Sequence, residues 1–198
     1  KSIPEVLTEF LETYSESRER EEIEALLVDS YITSKNYEKA LSLLESSNDY
    51  KDKQVYQKVA YYRGIELYKE GNYSGALVMF NKSLAERNDQ NFTAKATYWK
   101  AESDYNLENY HDALIGYKEF KGMTAAKNTP EMEDIDYNIA YTYFKQKDYA
   151  NAIKFFKAYT DTHQKPLTQV KSEWAYDVAR SNFHDLKECD CIFAIVNG

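Results

Sequence analysis

The sequence predicts an all-α protein built from repeated helical hairpins, and three observations support this prediction. The chain has only 6 glycines and 3 prolines in 198 residues, and its apolar residues show no clear strand alternation. One seven-residue phrase occurs four times, as KNYEKAL at 35–41, GNYSGAL at 71–77, ENYHDAL at 108–114 and KDYANAI at 147–153. A second block precedes each phrase, as ALLVDSYI, YYRGIELY, YWKAESDY and YNIAYTYF. Each repeat is therefore predicted to be two helices joined by a turn.

The repeats organise the chain as a single solenoid segment. Residues 1–16 are predicted to form the second helix of a repeat whose first helix is missing. Complete hairpins are predicted at 20–50, 55–88, 93–123 and 130–164. Residues 168–198 are predicted to be a divergent or incomplete repeat, because SEWAYDVARSNFH suits a first helix but the following DLKECDCIFAIVNG lacks the repeated phrase. Since neither end looks like a polar capping repeat, a fragment of a larger repeat protein is expected.

The polar residue before each phrase tyrosine predicts a tight turn at the same place in every repeat. These residues are Asn36, Asn72, Asn109 and Asp148. Asn and Asp cap helix N-termini and tolerate left-handed backbone, so they suit a tight turn between helices. Gly71 suits the end of a first helix for the same conformational reason. The predicted turns lie near 35–36, 71–72, 108–109 and 147–148.

The remaining residues of the repeat predict that large side chains pack against small ones. The phrase tyrosines Tyr37, Tyr73, Tyr110 and Tyr149 are expected to fill the corners where paired helices meet. The phrase alanines are Ala40, Ala76, Ala113 and Ala152, and the small residues on the first helices are Val28, Gly64, Ala101 and Ala140. Bulky partners follow at Leu44, Phe80, Tyr117 and Phe156. Small residues at these positions allow antiparallel helices to approach closely.

This spacing resembles the tetratricopeptide repeat (TPR) family. The stretch YNIAYTYFKQKDYANAIKFFKAY at 137–159 is similar to the family pattern almost throughout. The resemblance implies an α-solenoid in which TPR-like hairpins form a right-handed superhelix with a concave groove. The phrases YWKAESDY and FLETYSES look like those of bacterial cell-envelope TPR proteins, such as Tol–Pal accessory proteins and outer-membrane assembly lipoproteins. This likeness implies the bacterial periplasm or cell envelope, with the cytoplasm as the alternative.

In the family, the second, fifth, ninth, twelfth and thirteenth positions of each first helix face the groove. The fifth position falls on Ala25, Tyr61, Tyr98 and Tyr137, the ninth on Asp29, Ile65, Glu102 and Tyr141, and the thirteenth on Thr33, Lys69, Asn106 and Lys145. The resemblance thus implies a partner-binding groove formed by Tyr61, Lys69, Tyr98, Glu102, Asn106, Tyr137, Tyr141 and Lys145. Tyrosine offers a large contact area and a polar tip, which suits protein recognition. The alternative is that these tyrosines only support packing between helices.

Composition and motifs argue against several other functions. The formal net charge of −8 disfavours binding to nucleic acid or to an anionic membrane surface. No apolar run approaches the roughly 20 residues that span a bilayer, so no membrane insertion of this segment is expected. His184, Cys189 and Cys191 match no common zinc spacing. In TPEMEDID at 129–136, Thr129 is predicted as a helix N-cap and Pro130 as the first helical residue, with the acids complementing the helix dipole.

We therefore expect a non-enzymatic scaffold or adaptor that binds a segment of another protein, without a cofactor or metal. No set of titratable residues is brought together by the repeat as an active site requires. Two alternatives remain. The chain is a structural spacer in an envelope assembly, or it is the regulatory TPR segment of an enzyme whose catalytic domain lies outside this chain.

Overall fold

The structure, a computed structural model, describes residues 1–46 and 53–163, and these residues are helical without any strand. The all-α prediction is confirmed for this part of the chain. Its α-helices are α1 Ile3–Thr13, α2 Arg20–Thr33, α3 Tyr37–Ser46, α4 Lys53–Lys69, α5 Tyr73–Glu86, α6 Gln90–Asn106, α7 Tyr110–Gly122, α8 Ile135–Lys145 and α9 Tyr149–His163. Predictions for 47–50, 164 and 168–198, including His184, Cys189 and Cys191, lie outside the described residues.

The chain divides into two compact units, Lys1–Ala126 and Lys127–Gly198. In the first unit each helix from α1 to α7 contacts the next one along the chain, and α4 also contacts α6. A short 3₁₀ turn, Thr124–Ala126, packs against α6 and α7 at the end of this unit. In the second unit, described over 127–163, α8 packs against α9.

The four turns between paired helices share one backbone structure. The residue two places before each phrase tyrosine has a positive φ, which is 57° at Lys35, 78° at Gly71, 62° at Glu108 and 63° at Lys147. At the third turn, the Glu108 N–H donates to the carbonyl of Tyr105 (3.0 Å), and the Asn109 N–H donates to that of Asp104 (2.9 Å). The other three turns repeat this pair of bonds. This is the Schellman arrangement, in which a left-handed residue ends the helix, and the predicted turn positions are confirmed.

The left-handed residue of each turn is not the Asn or Asp itself. Asn72 has a φ of −85° and Asn109 a φ of −78°, so the left-handed residue lies one position earlier. The reason is that each Asn or Asp already begins the next helix. Capping is found at three of the four positions, where side-chain oxygens accept the N–H of Lys39 at Asn36 (3.3 Å), of Gly75 at Asn72 (3.0 Å) and of Asn151 at Asp148 (3.2 Å). Asn109 makes no such bond.

The expected packing of small against large residues is present in both units. The four phrase alanines are at most 1% exposed, and their small partners Val28, Gly64, Ala101 and Ala140 are also buried. The bulky residues Leu44, Phe80, Tyr117 and Phe156 are buried as well. The two helices approach closely at Gly64, where an added Cβ would lie 2.5 Å from the Phe80 ring. Glycine is required there because any side chain would collide with that ring.

Three of the four phrase tyrosines fill the corners of their hairpins, whereas Tyr37 stacks on Tyr62 of α4 at 5.3 Å. Tyr73 contacts Tyr68, with ring centroids 5.2 Å apart, and Tyr110 contacts Tyr105 at 5.5 Å. In the second unit, Tyr149 contacts Phe144 at 5.8 Å. Each pair joins the last turn of a first helix to the first residue of its partner helix. An aromatic pair of this kind adds about 0.5–1.5 kcal/mol to the energy of area burial.

A buried amide joins the hairpin of α4 and α5 to α6. Gln57 is 0% exposed, and its Nε2 donates to the Asp89 carbonyl (3.1 Å) and to Thr93 Oγ1 (3.0 Å). Its Oε1 accepts the Asp89 N–H at 2.7 Å. The Ser83 hydroxyl donates to the Gln57 carbonyl at 2.9 Å. All polar atoms of this side chain are therefore satisfied, as burial requires.

The start of α8 differs from the sequence prediction. Thr129 and Pro130 do stand at the N-cap and first position of a helical segment, but this segment is a 3₁₀ turn that ends at Met132. The α-helix begins only at Ile135, with Asp134 at its N-cap. Ile135 is 2% exposed, so α8 begins at its first buried apolar residue. The acidic residues of the 129–136 stretch are therefore divided between the starts of the 3₁₀ turn and of α8, instead of lying together in the first turn of one helix.

Candidate functional site

The first unit holds two of the predicted groove tyrosines, and they have different environments. Tyr61 is 7% exposed and packs against Phe80 and Phe92, with ring centroids 6.1 and 5.4 Å away. Tyr98 is half-buried and contacts Phe120 at 5.1 Å and Trp99 at 5.4 Å. Tyr61 thus belongs to the core between α4, α5 and α6, whereas Tyr98 retains an accessible part.

The second unit brings three predicted residues together along α8. Tyr137 and Tyr141, one helical turn apart, have ring planes within 5° of parallel and centroids 6.1 Å apart. Lys145 Nζ lies 5.3 Å from the centroid of the Tyr141 ring, within the range of a cation–π interaction. Tyr137 also packs against Phe156 at 5.7 Å and Tyr159 at 5.5 Å. All three predicted side chains are partly buried, so they both pack and face outward.

Glu102 accepts hydrogen bonds from two tyrosine hydroxyls. Tyr117 donates to Oε1 at 2.8 Å, and Tyr68 donates to Oε2 at 3.3 Å. Burial raises the pKa of the Glu102 carboxyl, and the hydroxyls of Tyr117, Tyr98 and Tyr68 oppose this effect in part. Burial, together with the Glu102 charge, also raises the pKa of Tyr68 to about 12. We call Tyr68, Tyr98, Glu102, Asn106 and Tyr117 the Glu102 cluster.

The polar edge predicted beside the tyrosines is exposed on α4 and α6. Asn106 Nδ2 donates to the Tyr68 hydroxyl (3.1 Å) and to the Glu102 carbonyl (2.8 Å). Lys69 is exposed at the end of α4. The Glu102 cluster therefore connects a partly buried carboxylate to an exposed amide, with members on two neighbouring first helices.

Two members of the Glu102 cluster were not among the predicted site residues. Tyr68 occupies the twelfth position of its repeat, which the resemblance to TPR proteins predicted to face the groove, so its position in the sequence could have identified it. Tyr117 was expected only as a bulky packing residue, and it is 1% exposed. Its hydroxyl contact with Glu102 could not be inferred from size, because the same position holds Leu or Phe in other repeats.

We call α1 and α2 the first hairpin, and this hairpin borders a separate recess. A cavity of about 870 Å³ lies where the start of α1 meets the end of α2 and the start of α3. It contains two of the positions mapped to the groove, Asp29 and Thr33. Its other lining residues are Ser2, Ile3, Pro4, Glu5, Thr8, Glu9, Glu12, Ser30, Tyr31, Ser34, Asn36 and Lys39. The two remaining mapped positions, Ala25 and Ile65, are partly buried and do not line this cavity.

Metal and membrane features were sought over 1–46 and 53–163. In these ranges no three His, Cys, Asp or Glu side chains are grouped so that they could hold a metal ion. Within the same ranges, no helix combines the length and apolar character needed to cross a membrane. A scan against protein-family models and a search of curated proteins find no match to this chain.

Proposed function

We propose that this protein is a non-enzymatic protein-interaction module that binds a segment of another protein on its first helices. The observation that carries the proposal is the composition of the α4–α6 face. Tyr98, Glu102 and Asn106 follow one another at i, i+4 and i+8 on α6, and Tyr68 borders them from α4. Such positions share one side of a helix. Lys69 is exposed at the end of α4 and has the same repeat position as Asn106. An ordered aromatic surface with a polar rim is typical of protein interfaces.

The Glu102 cluster supports this proposal because it orders the face before a partner arrives. Two tyrosine hydroxyls donate to one carboxylate, and Asn106 is held by two bonds of its own. Fewer side chains then lose freedom on binding, which lowers the entropic cost of association. Tyr137, Tyr141 and Lys145 offer a comparable aromatic and cationic set in the second unit.

We further propose that the hairpins of residues 1–126 are TPR-like and stack as a right-handed α-solenoid. The repeated Schellman turns, the buried small residues and the contact between α4 and α6 support this. Successive hairpins with the same turn and the same packing produce a regular solenoid.

The test is affinity capture by the full chain, followed by mass spectrometry of the bound proteins and calorimetry with the partner so identified. The double variant Lys69→Ala/Asn106→Ala removes exposed polar groups of the α4–α6 face. The matched control Asn81→Ala/Lys154→Ala removes the same residue types from exposed positions on the second helices α5 and α9. Tyr98 is left intact because replacing it would also remove its contact with Phe120, and a loss of binding could then be caused by a folding defect.

We expect the face variant to bind the partner about tenfold more weakly and the control to bind it normally, which is a moderate interface effect. Circular dichroism should give the same helical signal for both. Normal binding by the face variant would remove the α4–α6 face from the interface. Failure of the full chain to retain any protein would contradict the proposed function itself.

A further inference from the structure

The negative charge of the protein is concentrated in its first hairpin. Residues 1–30 contain nine Asp and Glu residues and three Lys and Arg residues, so they carry a charge of −6 out of the total of −8. The Glu102 cluster and the α4–α6 face lie outside this segment. The charge therefore gives the first hairpin an electrostatic character that the proposed binding face does not have.

Four exposed carboxylates line the recess of the first hairpin. Three of them, Glu5, Glu9 and Glu12, lie on α1, and Asp29 lies near the end of α2. Glu5, Glu9 and Glu12 stand at i, i+4 and i+7, so they share one side of the helix over about 10 Å. The basic residue that lines the recess is Lys39, whose Nζ lies 5.9 Å from the Tyr31 ring.

Apolar groups accompany these carboxylates. Ile3 is 70% exposed at the recess, although a large aliphatic side chain is normally buried. Tyr31 and Pro4 line the same cavity and are half-buried. Glu9 pairs with Lys1, but both side chains are more than half exposed, and such a pair contributes little and exchanges readily. A ligand can therefore find both charge and apolar contact in one recess.

We propose that the recess binds a basic amphipathic helix of a partner protein. Lysines or arginines spaced at i, i+4 and i+7 on that helix would face the carboxylates of α1, and Asp29 would meet a further cation. An apolar side chain of the same helix would cover Ile3 and Tyr31. Charge complementarity of this kind speeds association and selects the partner. The inference rests on the proposed protein-binding function, but it concerns a different surface from the α4–α6 face.

A synthetic helix provides the probe. It is an 18-residue peptide of leucine and lysine arranged to be amphipathic as a helix, and the reference peptide has the same composition in scrambled order. Binding to the full chain is measured by calorimetry at low and at moderate salt. The recess variant Glu9→Gln/Glu12→Gln/Asp29→Asn removes three carboxylates that line the cavity. The control variant Glu16→Gln/Glu21→Gln/Glu22→Gln removes three exposed carboxylates of the same hairpin that do not line it.

We expect the amphipathic peptide to bind the native chain more tightly than the scrambled peptide. The recess variant should raise its Kd about tenfold, since three exposed charge pairs each contribute modestly, and the control should raise it less than twofold. Higher salt should weaken binding to the native chain more than to the recess variant.

Three results would overturn the inference. Equal weakening by both triple variants would mean that the peptide senses only the overall charge of the hairpin. Equal affinity for both peptides would exclude a helical ligand. No binding of the amphipathic peptide would exclude the recess as a site for basic helices. None of these results affects capture through Lys69 and Asn106, so a failure here is distinct from a failure of the proposed function.

Discussion

The left-handed residue at each helix end provides a direct test of the repeated turn. Glycine occupies this position only at Gly71, whereas the third turn has Glu108 with a φ of 62°. A left-handed conformation costs an L-residue roughly 1–2 kcal/mol, and glycine costs about 0.5–1 kcal/mol more chain entropy than alanine. The left-handed cost exceeds the entropic cost of glycine by about 0.5–1 kcal/mol. We therefore predict that Glu108→Gly stabilises its turn by this amount and that Gly71→Ala destabilises its turn by the same amount.

The Gly71 substitution isolates the backbone term. An added Cβ at Gly71 would meet no atom within 4 Å, so collision with a neighbour does not contribute. The control Glu108→Ala keeps a Cβ at the left-handed position and should leave stability nearly unchanged. Gly122→Ala, where an added Cβ also meets nothing within 4 Å, tests the general effect of the same substitution without a positive φ.

Hydrogen exchange measures these effects locally. The amides of Asn72 and Asn109 donate the bonds that close the two turns, at 2.9 Å each. A change of 0.5–1 kcal/mol corresponds to about a two- to fivefold change in protection, with protection lost at Asn72 in Gly71→Ala and gained at Asn109 in Glu108→Gly. Urea unfolding followed by circular dichroism should show the same signs. If Gly71→Ala were neutral while Glu108→Gly lost protection, these residues would not be left-handed and the Schellman assignment would fail.

Two further predictions concern the core and the Glu102 cluster. Replacing Ala113 or Ala152 by Leu should destabilise the protein by about 1–3 kcal/mol in urea unfolding, since both are at most 1% exposed; a change of a few tenths at both sites would contradict the packing. The raised pKa of Glu102 means that the folded state holds the proton more tightly than the unfolded state, so its contribution to stability falls as pH rises from the unfolded pKa to the folded one. Glu102→Gln should therefore match the native chain near pH 4 and be more stable at pH 7, by about 1.4 kcal/mol per unit of pKa difference. A constant stability difference between native chain and Glu102→Gln across this range would refute the raised pKa.

The sequence predicted the helices and turns well because their signal is local and repeated. The phrase Asn/Asp-Tyr-x-x-Ala marks each turn to within a residue, and the alanines are buried as expected. The identity of the left-handed residue was not predictable in the same way. Lys35, Glu108 and Lys147 rarely adopt that conformation, and the requirement comes from the two hydrogen bonds that close the helix end.

The candidate site was only partly predictable because its contacts join residues far apart in sequence. Position in the repeat placed Glu102 on the outward side of α6, but not the Tyr68 hydroxyl that reaches it from 34 residues earlier. Tyr61 and Tyr98 hold the same repeat position. Tyr61 is buried because Phe92 of α6 packs on it, and that contact depends on the neighbouring hairpin.

The buried Gln57 amide has a consequence for cooperativity. Apolar side chains between neighbouring hairpins tolerate small sliding movements. The three hydrogen bonds of the Gln57 side-chain amide to Asp89 and Thr93 form in only one relative position of the two hairpins. Part of the free energy that stabilises the α4/α5 hairpin therefore comes from its contacts with the following hairpin. In a linear array of repeats, interactions between neighbouring repeats couple their unfolding, whereas interactions within one repeat do not. We therefore expect Gln57 to couple the unfolding of α6 to that of α4.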